Sequence, residues 1–155
     1  MSRGTSRWLA CGTAILCAIG SASVLQAQLE IGTWVRTDLP AGTKMSMTVQ
    51  ACCNGGRRLI YHAEGSGQPP MEMTIDSGLD GKDAVVLVGG KPSGQTMAIT
   101  RVDALHVTSI QKMDGKIMST SKGTLSGDGK TMTVENEIGG ASGKPMKLTE
   151  KWVKQ

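Results

Sequence analysis

Residues 44–76 read KMSMTVQACCNGGRRLIYHAEGSGQPPMEMTID, and this stretch decides the fold. In 44–52, Met45, Met47, Val49 and Ala51 share one face, and Lys44, Ser46, Thr48 and Gln50 share the other. In 70–76, Met71, Met73 and Ile75 oppose Glu72, Thr74 and Asp76. A period of two is the spacing of a strand with one buried face. Between these runs, Asn54-Gly55 suits a type I′ hairpin turn, whose central residues both need positive φ. Residues 57–64 then return with Leu59, Tyr61 and Ala63 in line.

The same pattern extends in both directions. Asp80-Gly81, Asp114-Gly115 and Asp128-Gly129 read as further hairpin turns, and Gly89-Gly90 and Gly139-Gly140 as breaks. Asp-Gly-Lys recurs at 80–82, 114–116 and 128–130, but at unequal spacing, so it is shared turn chemistry and not a repeat. Strands are expected near 31–36, 44–52, 57–64, 70–76, 83–88, 95–102, 104–112, 115–122, 130–138 and 145–154. No segment sustains the i, i+3, i+4 pattern of an amphipathic helix. The chain is therefore expected to be all-β: an antiparallel up-and-down β-barrel or strongly curved sheet of about eight to ten strands. Closure would remove the open edges and bring Trp34 beside the last strand, which carries Trp152.

Residues 1–27 read as a signal peptide. Arg3 and Arg7 precede an apolar run from Trp8 to Ile19, shorter than the roughly 20 residues of a membrane-spanning helix. Small residues follow, and Leu25-Gln26-Ala27 offers a cleavage site. Residues 28–155 are then a single β-barrel domain in the periplasm or outside the cell. The chain's 17 Lys and Arg fall to 15 without Arg3 and Arg7; against 13 Asp and Glu this leaves +2. That balance, with three Trp, one Tyr and no Phe, excludes a strongly basic nucleic-acid binder with stacking platforms. No later segment reads as a transmembrane helix.

Cys11 and Cys17 fall in the leader, which leaves the adjacent Cys52 and Cys53. Neighbouring Cα atoms lie about 3.8 Å apart, short of the usual disulfide range, and strand neighbours point to opposite faces. The pair is expected to be two small residues at a strand end. A strained vicinal disulfide, an intermolecular bridge and a soft-metal ligand are the sharper alternatives.

Ten methionines stand in for the missing phenylalanines, and Met45, Met47, Met71, Met73, Met97 and Met132 all fall on the expected inner face. Met fills irregular space and adapts to ligands of variable shape. Thioethers also suit Cu(I), and both Met-x-Met pairs place two side chains on one face about 6.6 Å apart. An alternative is therefore a periplasmic Cu(I) site drawn from Met45, Met47, Met71, Met73 and Met97. Pairs one strand apart would sit about 10 Å from each other, so each ion would have at most one pair plus a third ligand. Arg101 and Glu150 continue apolar faces, which implies mutual pairing or placement at a barrel mouth. Arg101 alternatively offers its planar fork to a ligand carboxylate. Arg57-Arg58 reads as a solvated strand start, and His62 and His106 as surface residues. No catalytic motif appears, and no enzyme activity is expected.

Gly32-Thr33-Trp34, Gly78-Leu79-Asp80-Gly81-Lys82, Thr100-Arg101-Val102-Asp103, the run Asp128 to Val134 and the ending Glu150 to Gln155 resemble small exported bacterial proteins with a lipocalin-like (calycin-type) β-barrel. The resemblance implies the fold and the export route, with Gly32 and Trp34 packing across the barrel base. It transfers no catalytic residue. The expected function is to bind or carry a small apolar or amphipathic molecule in the lumen. Met45, Met47, Met71, Met73, Met97, Ile99 and Met132 would line it, with Tyr61 and Arg101 as polar anchors and no cofactor. A packed structural or interaction module is the remaining possibility.

Overall fold

The computed structural model describes residues 31–65, 67–139 and 144–155. Residues 1–27, expected to be a signal peptide, lie outside them. Ten strands run in sequence: β1 Gly32–Arg36, β2 Thr43–Cys52, β3 Gly56–Gly65, β4 Gln68–Ser77, β5 Asp80–Val88, β6 Lys91–Arg101, β7 His106–Met113, β8 Lys116–Leu125, β9 Thr131–Ile138 and β10 Met146–Lys154. Each pairs antiparallel with its sequence neighbours, and β1 closes onto β10, so the sheet is a closed barrel. Every expected strand is present. No helix among the described residues is long and apolar enough to cross a membrane.

Register shows which side chains share the lumen. Trp34 pairs with Met47, Met47 with Tyr61 and Tyr61 with Met73. On the other side, Met97 pairs with Gln111, Ile99 with Ser109 and Arg101 with Val107. Because opposite residues in an antiparallel ladder point the same way, the inner set continues around the barrel through Gly123, Met132 and Trp152. Trp34, Met47, Val49, Leu59, Leu79, Ile99, Leu125, Met132 and Trp152 form one buried cluster. Trp34 thus lies beside the strand that carries Trp152, and both belong to this cluster, as closure required.

The barrel has two unlike ends. One carries the 53–55, 78–79, 102–105 and 126–130 connections together with the start of β1 and the end of β10; we call it the base. There the chain packs tightly: a side chain on Gly56 would run into the Ser77 carbonyl of the neighbouring strand. At the opposite end, the inward-register residues Met71, Met146 and Leu148 are 46%, 58% and 39% exposed, so the lumen opens to solvent there.

One turn reading needs correction. Asp80-Gly81 is not a hairpin turn; Gly78-Leu79 makes the connection, with Leu79 at φ +58°. Gly81 at φ +79° instead forms a bulge within β5, where the register shifts between Asp80 and Asp83. Asp114 and Gly115, at φ +49° and +78°, do form the expected positive-φ pair.

A candidate ligand site in the lumen

A cavity of about 60 Å³ lies inside the barrel. Four expected site residues line it: Met47, Tyr61, Ile99 and Met132. Sequence reasoning missed Leu59, Val107, Thr108, Ser109, Gly123 and Val134, which complete the wall. Gly123 matters because a Cβ there would collide with the Val107 side chain at 2.8 Å. The missing side chain is what leaves this stretch of lumen clear.

The other expected residues lie around the cavity and do not line it. Met45 and Met97 pack against the core cluster, and Met71 stands exposed at the mouth. Met73 opposes Tyr61 and Val88. Between the two Met-x-Met pairs, β3 interposes Ala63 and Tyr61, register for register. The pairs are therefore separated by a full strand, as the sequence spacing implied.

Arg101 does face inward. It sits one inward step below Ile99 and directly across from Val107, and both line the cavity. Pairing with Glu150, one of the two placements the sequence implied, does not occur. Glu150 instead accepts from Arg36 Nη1 at 3.2 Å and from Trp152 Nε1 at 3.0 Å. The reason is axial position: Arg101 ends β6 at the base, whereas Glu150 lies nearer the mouth on β10. Arg101 Nε and Nη2 are buried and meet no hydrogen-bond acceptor among the described residues. Those two donors form one edge of the guanidinium, the edge that grips a carboxylate with two parallel bonds.

Arg57 is a correction. It is not a solvated strand start but is 2% exposed, on the same face as Leu59 and Tyr61. Period two already placed it there; its neighbour Arg58 points outward and holds Asp76 through bonds of 2.7 and 2.6 Å. Arg57 Nη1 donates to the Gly56 and Gly55 carbonyls at 2.7 and 3.4 Å. Burial pushes the Arg57 pKa below its ordinary value, and the nearby positive charge of Arg101 pushes it further. Two guanidiniums therefore share the base, a concentration of positive charge under an apolar cavity.

Tyr61 packs edge-on against Trp152, with centroids 6.2 Å apart. Burial, and then the negative charge of Glu150, raises its phenol well above the ordinary value, so it remains a neutral donor. Toward the mouth the lumen turns polar. Gln111 Nε2 donates to Gln95 Oε1 at 2.6 Å, Ser119 Oγ to Gln111 Oε1 at 3.2 Å, and Ser121 Oγ to Asn136 Oδ1 at 2.5 Å. None of these was singled out by sequence. His62 and His106 are surface residues, beside Glu64 and Asp103.

Cys52 and Cys53 form a disulfide across a Cα separation of 3.8 Å, which corrects the expectation of two unlinked residues at a strand end. Only Cys52 belongs to β2. Cys53 enters the turn at φ +54°, followed by Asn54 at φ +50°, so strand alternation no longer separates the two side chains. Cys52, Cys53 and Asp76 offer ligand atoms within 4.8 Å of one another. Their donor capacity is already engaged: the sulfurs bond to each other, and the carboxylate takes Arg58.

No protein-family profile and no curated protein sequence matches this chain. Among solved structures the chain resembles a point variant of the fluorescent protein UnaG, with a TM-score of 0.57 at 13% identity. The match covers 82% of this chain and 96% of that one. At this identity the likeness establishes the fold alone, a closed ten-strand antiparallel β-barrel.

Proposed function

We propose that the protein is an exported, non-catalytic carrier of a small amphipathic molecule. The ligand's apolar body lies in the lumen and its anionic end meets Arg101. The observation that carries this reading is the buried Nε–Nη2 edge of Arg101, which meets no acceptor among the described residues, beneath an apolar cavity. Leaving such donors unsatisfied costs about 1–3 kcal/mol, and the repulsion between Arg101 and Arg57 adds to it. A carboxylate, sulfonate or phosphate relieves both. The apolar walls supply affinity for the body, and the polar mouth admits water and the incoming ligand.

The cavity of about 60 Å³ is far below the roughly 300 Å³ at the lower end of ligand pockets. The ligand body is therefore slender, or the lining methionines shift rotamers to admit it, as unbranched side chains readily do. The fold similarity supports a barrel capable of holding a ligand; the ligand's chemistry rests on the base charges.

The test is a titration with the fluorescent acid dansylaminoundecanoic acid and with its methyl ester. The acid should bind saturably, one per chain. The ester should bind at least about tenfold more weakly, since a charge-assisted hydrogen bond contributes about 1.5–3 kcal/mol. A folded sample that binds neither probe saturably would overturn the reading. Native mass spectrometry of protein taken from its own host would identify a retained ligand directly.

A further inference from the structure

We infer that Cys52–Cys53 is a thiol–disulfide exchange site whose redox state sets the affinity of the lumen for an anion. The inference rests on the ligand reading above but concerns a different part of the chain. Its basis is the chain of contacts joining the disulfide to the base. The disulfide closes a small covalent ring at the start of the β2–β3 turn. Cys53 and Asn54 are both held at positive φ, a conformation that residues other than glycine adopt at a cost. The next two residues, Gly55 and Gly56, present the carbonyls that accept from Arg57 Nη1. Arg57 in turn lies within electrostatic reach of Arg101.

The rest of the base transmits position in the same way. Gly56 fits against the Ser77 carbonyl with no room for a side chain. Ser77 Oγ accepts from the Leu79 N–H at 3.1 Å, and the Leu79 carbonyl accepts from the Arg101 N–H at 3.1 Å. The turn that holds the sulfurs and the strand end that carries Arg101 are thus joined by close packing and hydrogen bonds on one side and by charge on the other.

Cys53 is exposed, so the bond is open to attack from solvent. A thiolate of an external dithiol attacks the Cys53 sulfur. The Cys52–Cys53 bond breaks, and Cys52 leaves as a thiolate that takes up a proton. The second thiol of the reductant then displaces Cys53, giving two protein thiols and the reductant's own disulfide. Two electrons pass to the protein pair and the dithiol is oxidised. Once open, the ring no longer holds Cys53 in the left-handed region. The Gly55 and Gly56 carbonyls lose their fixed position, and Arg57 is no longer steered toward the base. The local positive potential that retains an anion weakens, whereas the apolar cavity is untouched.

The experiment compares dansylaminoundecanoic acid and its methyl ester on the oxidised protein, on the protein reduced with a dithiol, and after reoxidation. Reduction should weaken acid binding by about fivefold or more, the lower end of usual coupling between sites, and leave ester binding unchanged. Reoxidation should restore it, and peptide mapping should show Cys52 and Cys53 alkylated only in the reduced sample. The Cys52→Ser/Cys53→Ser variant, checked for retained barrel by circular dichroism, should match the reduced protein and ignore reductant. If the oxidised protein binds no acid, the ligand reading fails and this inference with it. If it binds acid but reduction, confirmed by alkylation, leaves the affinity unchanged, the ligand reading stands and the redox coupling is wrong. Equal weakening for acid and ester would mean general loosening of the barrel and would also overturn it.

Discussion

At the base, the inward positions of β1, β2, β3 and β10 are Trp34, Val49, Leu59 and Trp152, each no more than 3% exposed. Toward the mouth, the inward positions of β6 to β9 include Gln95, Gln111 and Ser119, joined in one chain of hydrogen bonds, and Ser121, which donates to Asn136. The same strands build both regions, so backbone pairing does not distinguish them. What differs is the price of water. Excluding it at the base gains hydrophobic burial; at the mouth, polar groups satisfy one another or solvent at little net gain. Hydrophobic burial and polar pairing are thereby assigned to different stretches of the same strands, with Arg57 and Arg101 as charged exceptions inside the buried one.

The largest expected effect tests that division. Trp34→Ala should destabilise the protein by about 3–5 kcal/mol, measured by chemical denaturation. Gln111→Ala should cost about 1 kcal/mol or less. Comparable losses would erase the distinction between the two regions. Arg101→Met sharpens the comparison from the other side. By removing orphaned donors and relieving repulsion on Arg57, it should raise stability by about 1 kcal/mol while abolishing the preference for the acid probe over its ester. A loss of both stability and binding would mean that Arg101 serves packing.

A smaller effect concerns Tyr61, which lies between the regions and is the chain's single tyrosine. In a spectrophotometric titration of the folded protein, no tyrosinate should appear near pH 10, where a free phenol is half ionised. Since the folded pKa is raised, the group's contribution to stability is intact below the unfolded value and is lost as pH climbs toward the folded one. Glu150→Gln should lower the titration midpoint, because the Glu150 charge is the second cause of the shift. An ordinary phenol titration would place Tyr61 in water.

The strands were legible because Met45-Ser46-Met47-Thr48-Val49 and Met71-Glu72-Met73 alternate cleanly, and a closed barrel gives alternation its usual meaning. The polar wall was not. On β8, Ser119 and Ser121 face inward while Met118 is exposed, so the pattern there inverts the rule used to find the core. Arg57 was legible by register with Leu59 and Tyr61, but an arginine at a strand start reads as solvated unless its alternation is followed through. The disulfide was hidden because strand geometry was applied to Cys53, which belongs to a turn. Asp80-Gly81 misled for the opposite reason: a positive-φ glycine serves a bulge as well as it serves a turn.

In the proposed complex the Arg101 fork holds the anionic end of the ligand. Nuclear magnetic resonance of isotope-labelled arginine side chains tests it most directly, with decanoate and decanol as probes. On addition of decanoate, the Arg101 Nε–H resonance should shift and gain protection from solvent exchange, and decanol should leave it unmoved. Decanoate bound with Arg101 silent, and only the outward-facing Arg58 or the mouth-side Arg36 responding, would contradict the claim.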